Sequence, residues 1–462
     1  MSAQSKPFSV EQHSIDYIPP SERHGKPSSL FNIWWSANMQ VTTVVTGALA
    51  LVFGLPFIWA LIAIVIGNVL GGFFMAFHSA QGPVIGIPQM IQSRAQFGFF
   101  GAILPLLLVV IMYVGFFATS DVLGAQALQA AWPALSINFG VVFLALVAMV
   151  LAIWGYDLIH SFERIVAYLV GIAFLLVTIT IFTRGLIPAS VFSLSGFNWG
   201  SFLLMVSVAA TWQITYAPYV ADYSRYLPQD TNLPQTFGYT YSSSVIASIW
   251  MMALGALLAA AMPKAMEANA VGTIGHLAGG LIGVMLLLIV LGILAINVLN
   301  LYGGFMSSLT TLGAIMRLRH SMGTRIGFIV GVAVIGTFLA IVGQGNFLNN
   351  YENFILFLSY FLVPWTAINL ADFYLVRHGH YDHTAFFSPH GIYGSVRWLA
   401  ILAYLIGCLV EVPFMDTTFY VGPISKAMGG ADIAWFIGVI VAGGLYMLFL
   451  GKRLRAEVAE IH

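Results

Sequence analysis

Apolar runs of about twenty residues recur along the chain, each long enough to cross a hydrocarbon core roughly 30 Å thick. In two of them, Phe31 to Leu55 and Ser201 to Tyr223, polar residues and a break in the helical pattern fall at mid-depth. Ser36, Asn38, Gln40, Thr42 and Thr43 crowd the middle of the first; Thr211, Trp212, Gln213, Thr215 and Pro218 crowd the middle of the second. Backbone released from a helix inside a bilayer must line a cavity or be covered by protein. Paired discontinuous helices in corresponding positions of two halves mark the substrate site of a secondary transporter. The chain therefore reads as a carrier organised around these two breaks.

Composition agrees. With 60% hydrophobic and 7% charged residues, 462 residues lack the polar side chains to cover a soluble globule, so the chain is an all-α polytopic membrane protein. A formal net charge of zero gives no electrostatic footprint for nucleic acid. Cys408 is the only cysteine, so an internal disulfide is excluded. Six spans are expected at about 31–54, 56–78, 101–129, 137–154, 162–183 and 199–222, and six more at about 236–262, 281–312, 325–343, 351–374, 396–415 and 432–451. With both termini in the cytoplasm, only Arg184, Lys264 and Lys426 of the 17 Lys and Arg residues fall outside, a strong positive-inside bias. The lipid bilayer is thus the surrounding partner, in an inner or plasma membrane.

Expected boundaries are a cytoplasmic tail at 1–29, without a signal-peptide pattern, and a ten-helix transport core at 30–376. A cytoplasmic loop at 377–395, helices 11 and 12 at 396–451 and a cytoplasmic tail at 452–462 complete the chain. Ten spans with the first and sixth broken, then two more, suit a LeuT-like five-plus-five inverted repeat. Gly67 and Gly71 in span 2 have the small-residue spacing that lets helices approach closely within a monomer.

Between spans 2 and 3 the chain reads Gly86-Ile-Pro-Gln-Met-Ile-Gln-Ser-Arg-Ala-Gln-Phe-Gly98. This resembles the cytoplasmic signature of the nucleobase cation symporters, the family of purine-cytosine and hydantoin permeases. Trp34 to Gln40, Ala221 to Tyr226, Asn297 to Tyr302 and Asn369 to Tyr374 extend the likeness over nearly the whole chain. What the resemblance implies is uptake of a small planar heterocycle with a cation, by alternating access around a midplane site. The substrate would be a nucleobase of the cytosine or purine class. Hydantoin, allantoin and vitamin-like heterocycles of the pyridoxine or thiamine-precursor type remain open.

In this family the heterocycle lies between an aromatic of span 3 and one of span 6, with amides reading its edge. Residues four apart share a helix face, which gives Phe116 with Ser120 as the favoured pair; Phe117 with Asp121 has the same spacing. The family often has Trp and an amide here, so this chain departs from the pattern. Gln40 matches the span 1 glutamine, or else is a helix-packing amide. Trp212 and Gln213 fall near the span 6 aromatic position, with Tyr216 further on. Asn297 and Asn300 on span 8 each carry one acceptor oxygen and two donor hydrogens, unless they bridge helices.

The resemblance bears on coupling too. Sodium-coupled members use span 1 carbonyls, here those of Ser36 and Met39, with span 8 hydroxyls at positions that hold Ala295 and Ile296 in this chain. Losing two oxygen ligands weakens a site for a hard cation, although Thr310 or Ser307 could enter in a shifted register. Proton coupling is therefore expected, with no cofactor and no bound metal. Asp121 is the only acid well inside an expected span; there it costs roughly 2.5 to 3.5 kcal/mol on insertion scales and marks function by default. It is expected to take up the coupled proton or to pair with a cationic substrate. A Ser or Thr across a helix interface would satisfy it in a purely structural role.

Asp222 and Asp372, at cytoplasmic span ends, read as gate or capping residues, and Glu411 as structural or an oligomer contact. The protein itself is expected as a monomer or weak oligomer. His378, His380 and His383 match no standard metal spacing and read as a solvated loop; His160 and Glu163 beside Arg164 read as a charged edge. A membrane enzyme is disfavoured because no metal-protease or nucleophile-elbow motif is present, and a channel because no repeated pore loop appears.

Overall fold

The structure is a computed structural model that describes residues 16–154, 156–316 and 321–461, without the side chains of 156–164 and 458–461. Lys6, His160, Glu163, Arg164, Arg317 and Arg319, which entered the charge and motif readings, lie outside the described backbone or side chains, as does the tail up to residue 15. Among the described residues there is no β-strand, only one isolated bridge between Asp416 and Val421.

Span 1 is two helices, α1 (Ser29–Asn38) and α2 (Val41–Val52). Then come α3 (Phe57–Ile85), the short α4 (Gln89–Phe97), α5 (Ile103–Ala131), α6 (Ile137–Trp154) and α7 (Tyr156–Thr183). Span 6 is again split, into α8 (Trp199–Ile214) and α9 (Val220–Ser224). The second half has α10 (Leu233–Ala261), a separate α11 (Pro263–Leu277), α12 (Ile282–Ile315), α13 (Met322–Gly343) and α14 (Phe347–Leu370). After α14 follow α15 (Trp398–Glu411), α16 (Pro423–Ala427) and α17 (Ala434–Ile461). Eight described stretches are long and apolar enough to cross a membrane, and three shorter apolar helices join them. One of the eight, Met322–Arg377, contains both α13 and α14, so the set fits twelve crossings. The residues between the expected spans 7 and 8 form α11.

Both breaks have a local cause. At the first, Met39 (φ −80°, ψ 63°) and Gln40 (φ −143°, ψ 154°) leave the helical region, and the chain re-enters a helix at Val41. At the second, tight turns from Thr215 to Tyr219 surround Pro218, which has no N–H to continue a helix. The bundle around them is closely packed. A Cβ on Gly67 or Gly71 would run into the backbone of Val206 or Ala210 on α8, so both glycines let α3 and α8 touch.

Tyr17 lies against His383, and Arg377 bonds Glu457, so the N-terminal segment, the loop after α14 and the end of α17 share one end of the bundle. The described parts of the segments expected as tails and loop are packed there. Ile18 is buried, Arg23 donates to the Ile18 and Pro83 carbonyls, and Tyr381, Phe386 and Tyr393 form a small core. The C-terminal tail continues α17 as helix to Ile461. His383 is half-buried, not solvated; burial and then the Arg23 charge hold its imidazole below the usual range, so it is neutral at pH 7.

The signature segment forms α4. Asp222 accepts from the Gln89 N–H at 2.7 Å and so caps α4 across the chain, where a helix N-terminus favours an anion. Burial lowers the Arg94 guanidinium to about 10, still cationic at neutral pH, and it donates to the Phe386 carbonyl. Beside it α14 widens into a π-turn over Ala371–Arg377, where buried Asp372 receives Gln96, Arg377, Tyr381 and Tyr446.

Candidate functional site

Asn38, the last residue of α1, ties the two breaks together. Its Oδ1 accepts from Trp212 Nε1 (2.8 Å), Tyr216 Oη (3.1 Å) and Ser248 Oγ (2.6 Å), and its Nδ2 donates to the Trp34 carbonyl and Ser244 Oγ. The amide orientation follows, because three hydroxyl or indole donors require an oxygen. Buried Trp34 stands edge-on to Tyr216 and Tyr223, each at 5.4 Å between centroids. Sequence reading noted Asn38 only as one of several mid-span polar residues. Its side-chain partners lie more than 170 positions away, so spacing gave no signal for the hub.

Beside this hub, half-buried Phe116 of α5 meets buried Trp212 of α8 edge to face at 6.1 Å and 89°. Phe354 of α14 stands edge-on to Phe116 at 5.2 Å and covers one side. The two span 3 alternatives separate: Phe117 packs against Gly336 of α13, whereas Phe116 turns to Trp212. Ser120, one turn beyond Phe116, is buried on the same helix face. Gln40, half-buried at the first break, donates to the Ala37 carbonyl.

Gln213 does not join this group. Its amide bonds Asn68, Ser244 and Ser248, a packing bridge between α8, α3 and α10. Residues adjacent in a helix point some 100° apart, so Trp212 and Gln213 cannot both face Phe116.

Asp121 is fully buried on α5 and pairs with α12. Asn297 Nδ2 donates to its Oδ1 at 3.4 Å, Asn300 Nδ2 reaches Asn297 Oδ1 at 3.5 Å, and Asp121 Oδ2 has no hydrogen-bond partner among the described residues. The partner is an amide, not the Ser or Thr a structural role had called for. Amide and carboxylate here form a chain of long, weak contacts.

At the span 1 carbonyls, the Ser36 oxygen already accepts from the Met39 N–H. The side chains of Ala295 and Ile296 bring no oxygen, and the Thr310 hydroxyl bonds back to the Met306 carbonyl of its own helix. Among the described residues no group of three or more His, Cys, Asp or Glu could hold a metal. Phe354 and Tyr351, whose hydroxyl meets Thr46 Oγ1 at 2.7 Å, escaped sequence reading because they lie in an ordinary apolar span.

Comparison with known proteins agrees with the fold. Mhp1 in its inward-facing conformation superposes with a TM-score of 0.77 at 20% identity, over 100% of this chain and 98% of that one. Mhp1, a nucleobase-cation-symport-1 family transporter, closed with bromovinylhydantoin bound, gives 0.74 at 18%, over 98% and 100%. These likenesses establish the LeuT-like fold with discontinuous helices 1 and 6. A putative purine-cytosine permease of Bacillus subtilis is 48% identical over 96% of this chain and 97% of its own. The purine-cytosine permease of Emericella nidulans is 25% identical over 95% and 88%, and a vitamin B6 transporter of Saccharomyces cerevisiae 24% over 95% and 86%. A family model described as a permease for cytosine/purines, uracil, thiamine and allantoin matches residues 17–438, and the chain is a multi-pass membrane protein that belongs to that family.

Proposed function

We propose that this permease carries a nucleobase-like planar heterocycle, of the cytosine or purine class, into the cell together with a proton. The observation that carries the reading is the contact of Phe116 with Trp212, the ring that Asn38 at the first break holds by a hydrogen bond. A flat ring stacked on such an aromatic gains on the order of 1 to 3 kcal/mol, and in this reading the amides of Asn297 and Asn300, which lie beside Asp121 on α12, would supply donors and acceptors for its edge. Because the two rings stand perpendicular, a ligand held between both faces requires one of them to rotate.

Proton coupling rests on Asp121, a buried acid with one long hydrogen bond, and on the missing hydroxyls at Ala295 and Ile296. Ser36 and Met39 remain the backbone positions for a cation, were sodium used. Both termini face the cytoplasm in this reading, which follows the positive-inside bias. A second reading has its own support. The buried Asp121 oxygen that has no hydrogen-bond partner among the described residues suits a cationic ring, and a vitamin B6 transporter is among the relatives.

The test is thermal unfolding of the purified protein against cytosine, uracil, adenine, hypoxanthine, guanine, hydantoin, allantoin, pyridoxine and thiamine, each in sodium and in potassium. A ligand at 100 times its dissociation constant stabilises by about 2.7 kcal/mol. A nucleobase shift indifferent to sodium supports the reading. A shift by a vitamin alone rejects the substrate class, and a sodium requirement rejects the proton.

A further inference from the structure

A groove of about 580 Å³ opens on the outer face of the bundle between α3, α14 with its π-turn, and α17. This lies within the roughly 300–1,000 Å³ of small-molecule sites, yet its lining is apolar throughout. Phe73 and Phe77 form one wall and Leu375 another, all well exposed to the surroundings, and Gly443 and Gly444 thin the floor. Tyr374 crosses it, its hydroxyl donating to the Phe77 carbonyl, so the groove is braced and not a loose seam. An apolar face in a bilayer is covered by lipid chains as a matter of course; the rim makes this one selective.

On α17 the groove-lining positions Val439, Gly443 and Met447 recur every four residues, and the same row continues through Gly451 to Arg455. The adjacent row from Gly444 passes Leu448 and reaches Lys452. Arg455 and Lys452 are exposed, and Arg455 donates to the carbonyl of Leu375 on the groove wall at 3.2 Å. Eight residues of helix rise about 12 Å, so both cations stand beyond the groove along α17, Arg455 against its wall and Lys452 one turn before it, at the end of the bundle shared by the chain termini. Apolar slot below and paired cations above match a fatty-acyl chain below and a phosphate above. Basic pockets between membrane helices take anionic headgroups in this way.

We infer that this groove is a binding site for one anionic phospholipid, its acyl chain along Gly443 and Gly444 and its headgroup phosphate between Lys452 and Arg455. The site is separate from the one proposed for the transported solute and stands whether or not that reading holds.

The full-length protein, purified in detergent and stripped of lipid, is incubated with dioleoyl phosphatidylglycerol or dioleoyl phosphatidylcholine. Retention is read by native mass spectrometry and stability by thermal unfolding. Two basic side chains near an anionic lipid predict a preference of roughly ten- to thirty-fold for phosphatidylglycerol. Lys452→Gln with Arg455→Gln should erase the preference while leaving phosphatidylcholine retention unchanged. Gly444→Phe should block the slot; a Cβ there meets nothing within 4 Å, so the substitution fits the fold. Equal retention of the two lipids by the unaltered protein overturns the inference without recourse to variants. So does a preference that survives the double substitution, or glycerol 3-phosphate alone stabilising as strongly as the lipid.

Discussion

Asp372, at the π-turn that ends α14, receives Gln96 Nε2, Arg377 Nε, Tyr381 Oη and Tyr446 Oη between 2.7 and 3.2 Å. Asp121, midway along α5, is equally buried and receives one amide at 3.4 Å. A carboxylate removed from water is costly unless charge and hydrogen bonds replace the solvent. At Asp372 they do, and the acid joins α4, the loop after α14 and α17 into one body. At Asp121 they do not, and an under-satisfied acid in an apolar span is retained for something other than stability. The two sites separate an anchored acid from an under-satisfied one, a division the sequence already drew in outline by placing Asp121 inside a span and Asp372 at a span end.

Removing the anchor should have the largest effect. Asp372→Ala leaves Arg377 buried beside three polar donors, and breaking such a pair costs roughly 3 to 5 kcal/mol, read as a large fall in the melting temperature. An unaltered melt would erase the distinction drawn here. Asn38→Ala strands three donors at about 1 to 3 kcal/mol each, minus whatever relaxation recovers. Loss of stability together with the ligand-induced shift is expected, because Trp212 loses its indole partner; a ligand shift of full size would show that Asn38 does not orient that ring.

Trp212→Ala should weaken ligand binding by about 1 to 3 kcal/mol, measured by titration calorimetry, with Phe116→Ala similar. If Gln213→Ala weakens binding as much while the melt is unchanged, the packing role assigned to that amide is wrong. The smallest stability change belongs to Asp121→Asn, within about 1 kcal/mol, because the replaced carboxylate holds only one long bond. Concentrative uptake should nonetheless vanish while equilibrative exchange of substrate persists. Accumulation by Asp121→Asn would show that neither proton coupling nor a cationic ligand depends on that acid.

Both breaks were legible in the sequence because polar side chains at mid-span have no other affordable place, and the apolar runs located the helices to within a turn or a few. Phe116 was legible through its i, i+4 partner, although nothing in that spacing excluded Phe117; the packing of Phe117 on Gly336 separates them. The Asn38 hub and the Asp372 cluster were not legible. Each is assembled from residues on different helices, and sequence spacing reports neighbours on one helix only. The packed loop after α14 was obscured for a related reason: His378 and His380 are exposed as expected, but His383 looks solvated until Tyr17, from the other end of the chain, is set against it.

Gly67 and Gly71 bring α3 against α8 with no side chain between, which has a consequence for motion. Helices in backbone contact slide past one another poorly, so spans 2 and 6 should travel as a single plank through the transport cycle. Spin labels at the exposed positions Ile66 on α3 and Trp199 on α8 should then keep one distance distribution under all ligand conditions, while the distance from either to α14 divides into two.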